Sequence, residues 1–123
     1  MEKALRILSI VGALPLALIG LRWVFDPSGA AAGLEMSLLE GAGRNSQIGD
    51  TTSFFVCMAG FALYGVLKEK RDFLYAATFL LAGVAVFRVL GGLVHDAPTI
   101  WLFVVIEVVT SAIWIAHARN MKG

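Results

Sequence analysis

Cysteine is nearly missing from this chain: Cys57 stands alone among 123 residues. A single thiol excludes an internal disulfide and any Cys-x-x-Cys redox centre. Set among Phe54, Phe55, Val56 and Met58, it reads as a small apolar filler rather than a reactive group. Charge is scarce as well, at 15% of residues with a formal net charge of +1, and no basic cluster suits nucleic acid. We expect no nucleic-acid partner. No set of His, Cys, Asp and Glu has metal-ligand spacing, so neither a metal nor a cofactor is expected. No Ser-His-Asp or paired-carboxylate arrangement stands out for catalysis. Short alternating segments are also missing, which argues against a transmembrane barrel.

Apolar length is what the chain has in abundance. Its residues are 59% hydrophobic and its mean hydropathy is +0.81, too apolar for a soluble domain of this size. The apolar residues form four blocks, 4–25, 48–67, 73–94 and 98–117, each about 20 residues long, as a helix crossing the hydrocarbon core requires. The expected fold is all-α: one integral membrane domain over residues 1–123, built as an antiparallel bundle of four transmembrane helices. Lys3 and Arg6 precede an apolar run from Ile7 to Leu21, as in a signal peptide, and Ala30-Ala31-Ala32 mimics a cleavage site. The run nevertheless continues through Trp23 to Phe25, and Arg22, Asp26 and Pro27 separate it from the alanines. We read it as an uncleaved first helix.

Lys3, Arg6, Lys68, Lys70, Arg71, Arg119 and Lys122 gather at one side, against Arg22 and Arg44 at the other. The positive-inside rule then puts both termini in the cytoplasm. Aromatic anchors agree, with Trp23 and Trp101 at the outer interface and Tyr64, Tyr75 and Trp114 at the inner one. The outer loop, 26–47, is the long connection. Asp26-Pro27 has the chemistry of a helix start, so a short interfacial helix over 28–34 is expected, with Gly41-Ala42-Gly43 as a flexible break after it. A structural cap over the bundle is the simpler role for this loop, a lid the sharper one.

Arg88 and Glu107 lie inside the third and fourth apolar blocks. Each would cost roughly 2.5–3.5 kcal/mol unpaired at the bilayer centre, so each is the natural partner of the other. A short turn at 95–97 makes the two helices a hairpin, placing positions 88 and 107 within about one helical turn of each other. A bidentate guanidinium–carboxylate contact is the expected geometry. Gly91 and Gly92 would leave room beside it for a helix, a water or a ligand headgroup. Ser111 shares the face of Glu107, and His95 that of Arg88. Arg22 and Asp50 complete a polar funnel open to the outer side, although snorkelling and helix-end placement explain those two more simply. The binding candidates are therefore Arg88, Glu107, Ser111, His95, Arg22 and Asp50. No catalytic residue is assigned. A structural staple is the competing account of the pair.

The stretches Leu21-Arg22-Trp23-Val24-Phe25-Asp26-Pro27, 44–50, Phe87-Arg88-Val89-Leu90-Gly91 and Ile106-Glu107-Val108 resemble a bacterial family of four-helix membrane proteins. That family carries a domain of unknown function and is loosely similar to the DoxX-like bundles. The resemblance implies the four-helix fold and a place in the bacterial inner membrane, and draws attention to Arg88 and Glu107, but it implies no reaction. Three functions compete. The first is a binding or accessory protein that takes a lipid-like or small amphipathic molecule, or another membrane subunit, at the seam. The second is an oligomeric proton-coupled transporter using Glu107. The third is a membrane enzyme acting on a lipid or quinone. The lipid bilayer is the one partner common to all three, and a homo-oligomer or a membrane-complex subunit fits the first two.

Overall fold

Apolar runs of this length leave backbone polar groups no water to bond, so the chain satisfies them internally as helix. In the computed structural model, which describes residues 1–122, they do so as α1 (Glu2–Phe25), α2 (Pro27–Gly33), α3 (Gly41–Leu67), α4 (Arg71–His95) and α5 (Trp101–Arg119). The described residues contain no strand. Four of the helices, all but α2, are long and apolar enough to cross a membrane.

Asp26 makes both the end of α1 and the start of α2. Its N–H donates to the Arg22 carbonyl at 2.7 Å, and its carboxylate accepts from the Gly29 N–H at 3.1 Å. Pro27 then occupies the first turn of α2, where no N–H is needed. The short helix expected over 28–34 is thus present as Pro27–Gly33.

The break expected at Gly41-Ala42-Gly43 is not there. These residues form the first turn of α3, which starts at Gly41 rather than at 48. The cause lies in the side chains that follow. Gln47 accepts from the Leu39 N–H at 2.8 Å and donates to the Ser37 carbonyl at 3.1 Å. Arg44 donates to the Leu39 carbonyl at 2.9 Å. These bonds fold the preceding segment onto the new helix, and Gly41 enters it with φ of 59°, which glycine adopts at no steric cost. The outer loop of 26–47 therefore contracts to the few residues between α2 and α3.

α1 packs against α3 and α5, and α4 packs against the same two helices, while α2 folds back onto α1. Arg6 near the start of α1 donates to the Val66 carbonyl near the end of α3, at 3.2 Å. Ala13, Met58, Ala62, Leu74, Ala77 and Trp114 fill the core. Trp23 of α1 and Ala30 and Ala31 of α2 form a second, smaller cluster where those two helices meet. Large apolar side chains such as Phe79, Phe87 and Leu93 point outward. So extensive an apolar exterior is unsuited to water and suits a hydrocarbon solvent.

Candidate functional site

Between α1, α3, α4 and α5 lies a cavity of about 370 Å³, closed at one end by Gly33 and Leu34 where α2 finishes. Its wall is apolar almost throughout, formed by Leu16 and Ile19 of α1, Phe54 and Phe55 of α3, Leu81 and Val84 of α4, and Phe103 and Ile106 of α5. Two charged side chains enter it, Arg88 from α4 and Glu107 from α5, together with the hydroxyl-bearing Thr110.

Arg88 donates through Nε to both carboxylate oxygens of Glu107, at 3.1 and 2.9 Å. The expected two-pronged fork is replaced by one N–H shared between two acceptors. Its consequence is chemical: Nη1 and Nη2 bond no other residue among those described. The guanidinium also lies against the Phe103 ring, 5.1 Å from its centroid, within cation–π range. Glu107 is the more enclosed partner, with its side chain 11% exposed against 25% for Arg88. The carboxylate is satisfied, whereas the arginine keeps donors in reserve.

The other four candidates do not join this pair at the cavity wall. Ser111 is buried one turn further along α5, and its hydroxyl has no hydrogen-bond partner. His95 is the exposed last residue of α4. Arg22 is exposed and pairs instead with Asp26, one turn on, at 3.4 Å. Asp50 lies exposed inside α3 and not at its start, because that helix begins well before it. The two glycines beside Arg88 also differ: Gly91 faces open space, whereas a side chain on Gly92 would run into Thr99 and the Ala97 carbonyl. At Gly92 the turn between α4 and α5 fills the room expected for a neighbour, whereas at Gly91 that room is present.

A second polar contact was not foreseen. Ser9 Oγ and His117 Nδ1 are hydrogen-bonded at 2.9 Å, both residues buried, and the Trp114 indole N–H donates to the Ser9 carbonyl at 3.2 Å. Gly12 allows this closeness of α1 and α5, since a Cβ there would sit 2.9 Å from the Thr110 methyl. Of these residues Gly12 and Thr110 line the cavity, and the Ser9–His117 contact lies beyond it along the same two helices. No group of three or more His, Cys, Asp and Glu among the described residues is placed to hold a metal ion.

No protein-family profile, curated protein or solved structure matches this chain.

Proposed function

We propose that this chain is an integral membrane protein of the bacterial inner membrane that binds a lipid-like or small amphipathic molecule at Arg88 and Glu107. In this reading α1, α3, α4 and α5 cross the bilayer as an antiparallel bundle, with both termini cytoplasmic and the cavity in the outer half. The Lys and Arg asymmetry supports that orientation. Kinship with the DoxX-like four-helix proteins is part of the same proposal and rests on the short motifs alone.

One observation carries the binding role. A largely apolar cavity of about 370 Å³ receives a single charged pair whose arginine keeps two nitrogens without a protein acceptor. Apolar pockets of a few hundred Å³ with few polar groups are characteristic of small-molecule sites. A structural staple needs the pair but not the space. The test is to purify the protein into nanodiscs, extract it and identify copurifying small molecules by mass spectrometry. Wild-type protein should carry a discrete amphipathic species that Arg88→Ala and Glu107→Gln lose. Unchanged ligand content and partner recovery in both folded variants would remove the reading.

A proton-coupled transporter using Glu107 is the second reading. The observation favouring it is that α5 buries three polar residues, Glu107 at the cavity, Ser111, and His117 at the Ser9 contact. Four helices require a partner copy to enclose a pathway. Native mass spectrometry giving a strict monomer would remove this reading and leave the first untouched.

A further inference from the structure

We propose that the occupant of the cavity is an uncharged single-chain lipid bearing a carbonyl oxygen, which enters sideways between α1 and α5 and sets that oxygen on the terminal nitrogens of Arg88. The proposal rests on the reading of the cavity as a binding site and deepens it.

Charge excludes ionic headgroups first. Arg88 and Glu107 are the only charged residues lining the cavity, and their charges sum to zero. An anionic head brought to Arg88 would lie beside the Glu107 carboxylate, which stands 2.9 Å from Arg88 Nε. An ammonium head brought to Glu107 would meet the guanidinium. Either is repelled in a site where little water screens it. An uncharged head meets no such opposition.

The free donors then select its chemistry. A guanidinium donates only in its own plane and accepts nothing. Phe103 lies 5.1 Å from the guanidinium carbon and covers a face. With Nε committed to Glu107, the edge bearing Nη1 and Nη2 is what remains for an acceptor. A carbonyl oxygen, as in a ketone, aldehyde, ester or amide, has two lone pairs to place there. A plain hydrocarbon would leave those donors unmet.

Size and access fix the rest. A cavity of about 370 Å³ holds about a dozen non-hydrogen atoms if each takes ~30 Å³, the share of one liquid water. That accommodates one short chain with a small head. α1 and α5 are held together through Ser9 and Gly12 against Thr110, Trp114 and His117. At the cavity itself, Val11 and Ile106 line the space while remaining 57% and 52% exposed. The gap between those two helices therefore opens on the apolar surroundings, where a chain-bearing molecule would already be dissolved.

The test uses the wild-type chain in nanodiscs and a photoreactive diazirine analogue of 2-decanone. Label should fall on residues 11–19 and 103–110. 2-Decanone should displace it at a concentration at least about tenfold below decanoate, decylamine or decane. The double variant Arg88→Gln/Glu107→Gln should lose about tenfold to a hundredfold of the preference for the ketone over decane, the worth of a hydrogen bond to a charged group. If that variant does not fold, the wild-type competition order decides alone. Equal or better displacement by decanoate or decylamine would overturn the uncharged head, and equal displacement by decane would overturn the carbonyl contact. Labelling that avoids the cavity altogether would overturn the underlying reading of the cavity as a binding site.

Discussion

Arg88 reaches Glu107 through one nitrogen, and the worth of that contact depends on what replaces it. Removing one partner strands the other as an uncompensated buried charge, which costs about 3–5 kcal/mol. Arg88→Ala should therefore destabilise the fold by that amount, read as a shift in reversible unfolding in mixed micelles. Replacing both partners together removes the stranded charge. Arg88→Met/Glu107→Leu should regain most of the lost stability yet bind no amphipathic ligand. A double variant as weak as Arg88→Ala would mean that the pair sustains the fold through more than mutual neutralisation. The pair was legible in the sequence because two charges inside long apolar runs have no cheap alternative to each other. Its single-nitrogen geometry was not legible, since helical spacing brings the two groups together without fixing which nitrogen makes the contact. Ser9 and His117 were hidden for the opposite reason. A serine in an apolar helix is ordinary, and nothing in the pattern links two residues from the first and last helices. Ser9→Ala deletes the partner of His117 Nδ1 and should cost about 1–3 kcal/mol in the same unfolding measurement. A cost near zero would show that the imidazole finds another partner.

Helix contacts in a hydrocarbon solvent rest on close packing, so glycines of similar appearance differ in consequence. Gly20 on α1 is held against α3: a Cβ there would lie 2.9 Å from Phe55 Cβ and 3.0 Å from the Val56 backbone nitrogen. Neither atom is the free end of a flexible side chain. Gly83 on α4 has nothing within 4 Å of the same position. Gly20→Ala should thus destabilise by about 1–3 kcal/mol, the cost of overpacking, whereas Gly83→Ala should be neutral or slightly stabilising. Comparing unfolding midpoints tests both, and the prediction fails if the two variants shift alike. The start of α3 shows where pattern reading stops. Gly41-Ala42-Gly43 carries the composition of a break, and local propensity favours one. Arg44 and Gln47 override it by bonding backward to residues 37–39, a tertiary effect that composition does not encode. Asp26-Pro27 was readable because its chemistry is local, with the cap and the capped N–H only three residues apart.

Across the whole molecule, the four long helices were legible from length and hydropathy alone, because an apolar run of about 20 residues has few other fates. Their packing order was partly legible, since short turns force neighbours, but the cavity was not. It arises where α1 and α5 are joined through Ser9 and Gly12 yet leave Val11 and Ile106 exposed beside the open space. No periodicity records such a gap. The same contacts bear on orientation. Arg6 at the start of α1 meets Val66 at the end of α3, Ser9 meets His117, and Arg71 donates to the Met121 carbonyl. Lys3, Arg6, Lys68, Lys70, Arg71, Arg119 and Lys122 all belong to these segments. If the helices cross a bilayer, one face of it receives this whole set, and the positive-inside rule makes that face cytoplasmic. The single native thiol makes this simple to test, because Cys57→Ser leaves a cysteine-free chain for reintroduction. In intact cells, Lys3→Cys, Glu69→Cys and Lys122→Cys should resist a membrane-impermeant maleimide until the membrane is opened. Glu35→Cys, between α2 and α3, should react at once. Reaction of the first three from outside would reverse the topology and place the cavity in the inner half, so that its ligand would have to come from the cytoplasmic leaflet. A split result, with Lys3→Cys and Lys122→Cys on different sides, would be incompatible with α1 and α5 meeting through Ser9 and His117.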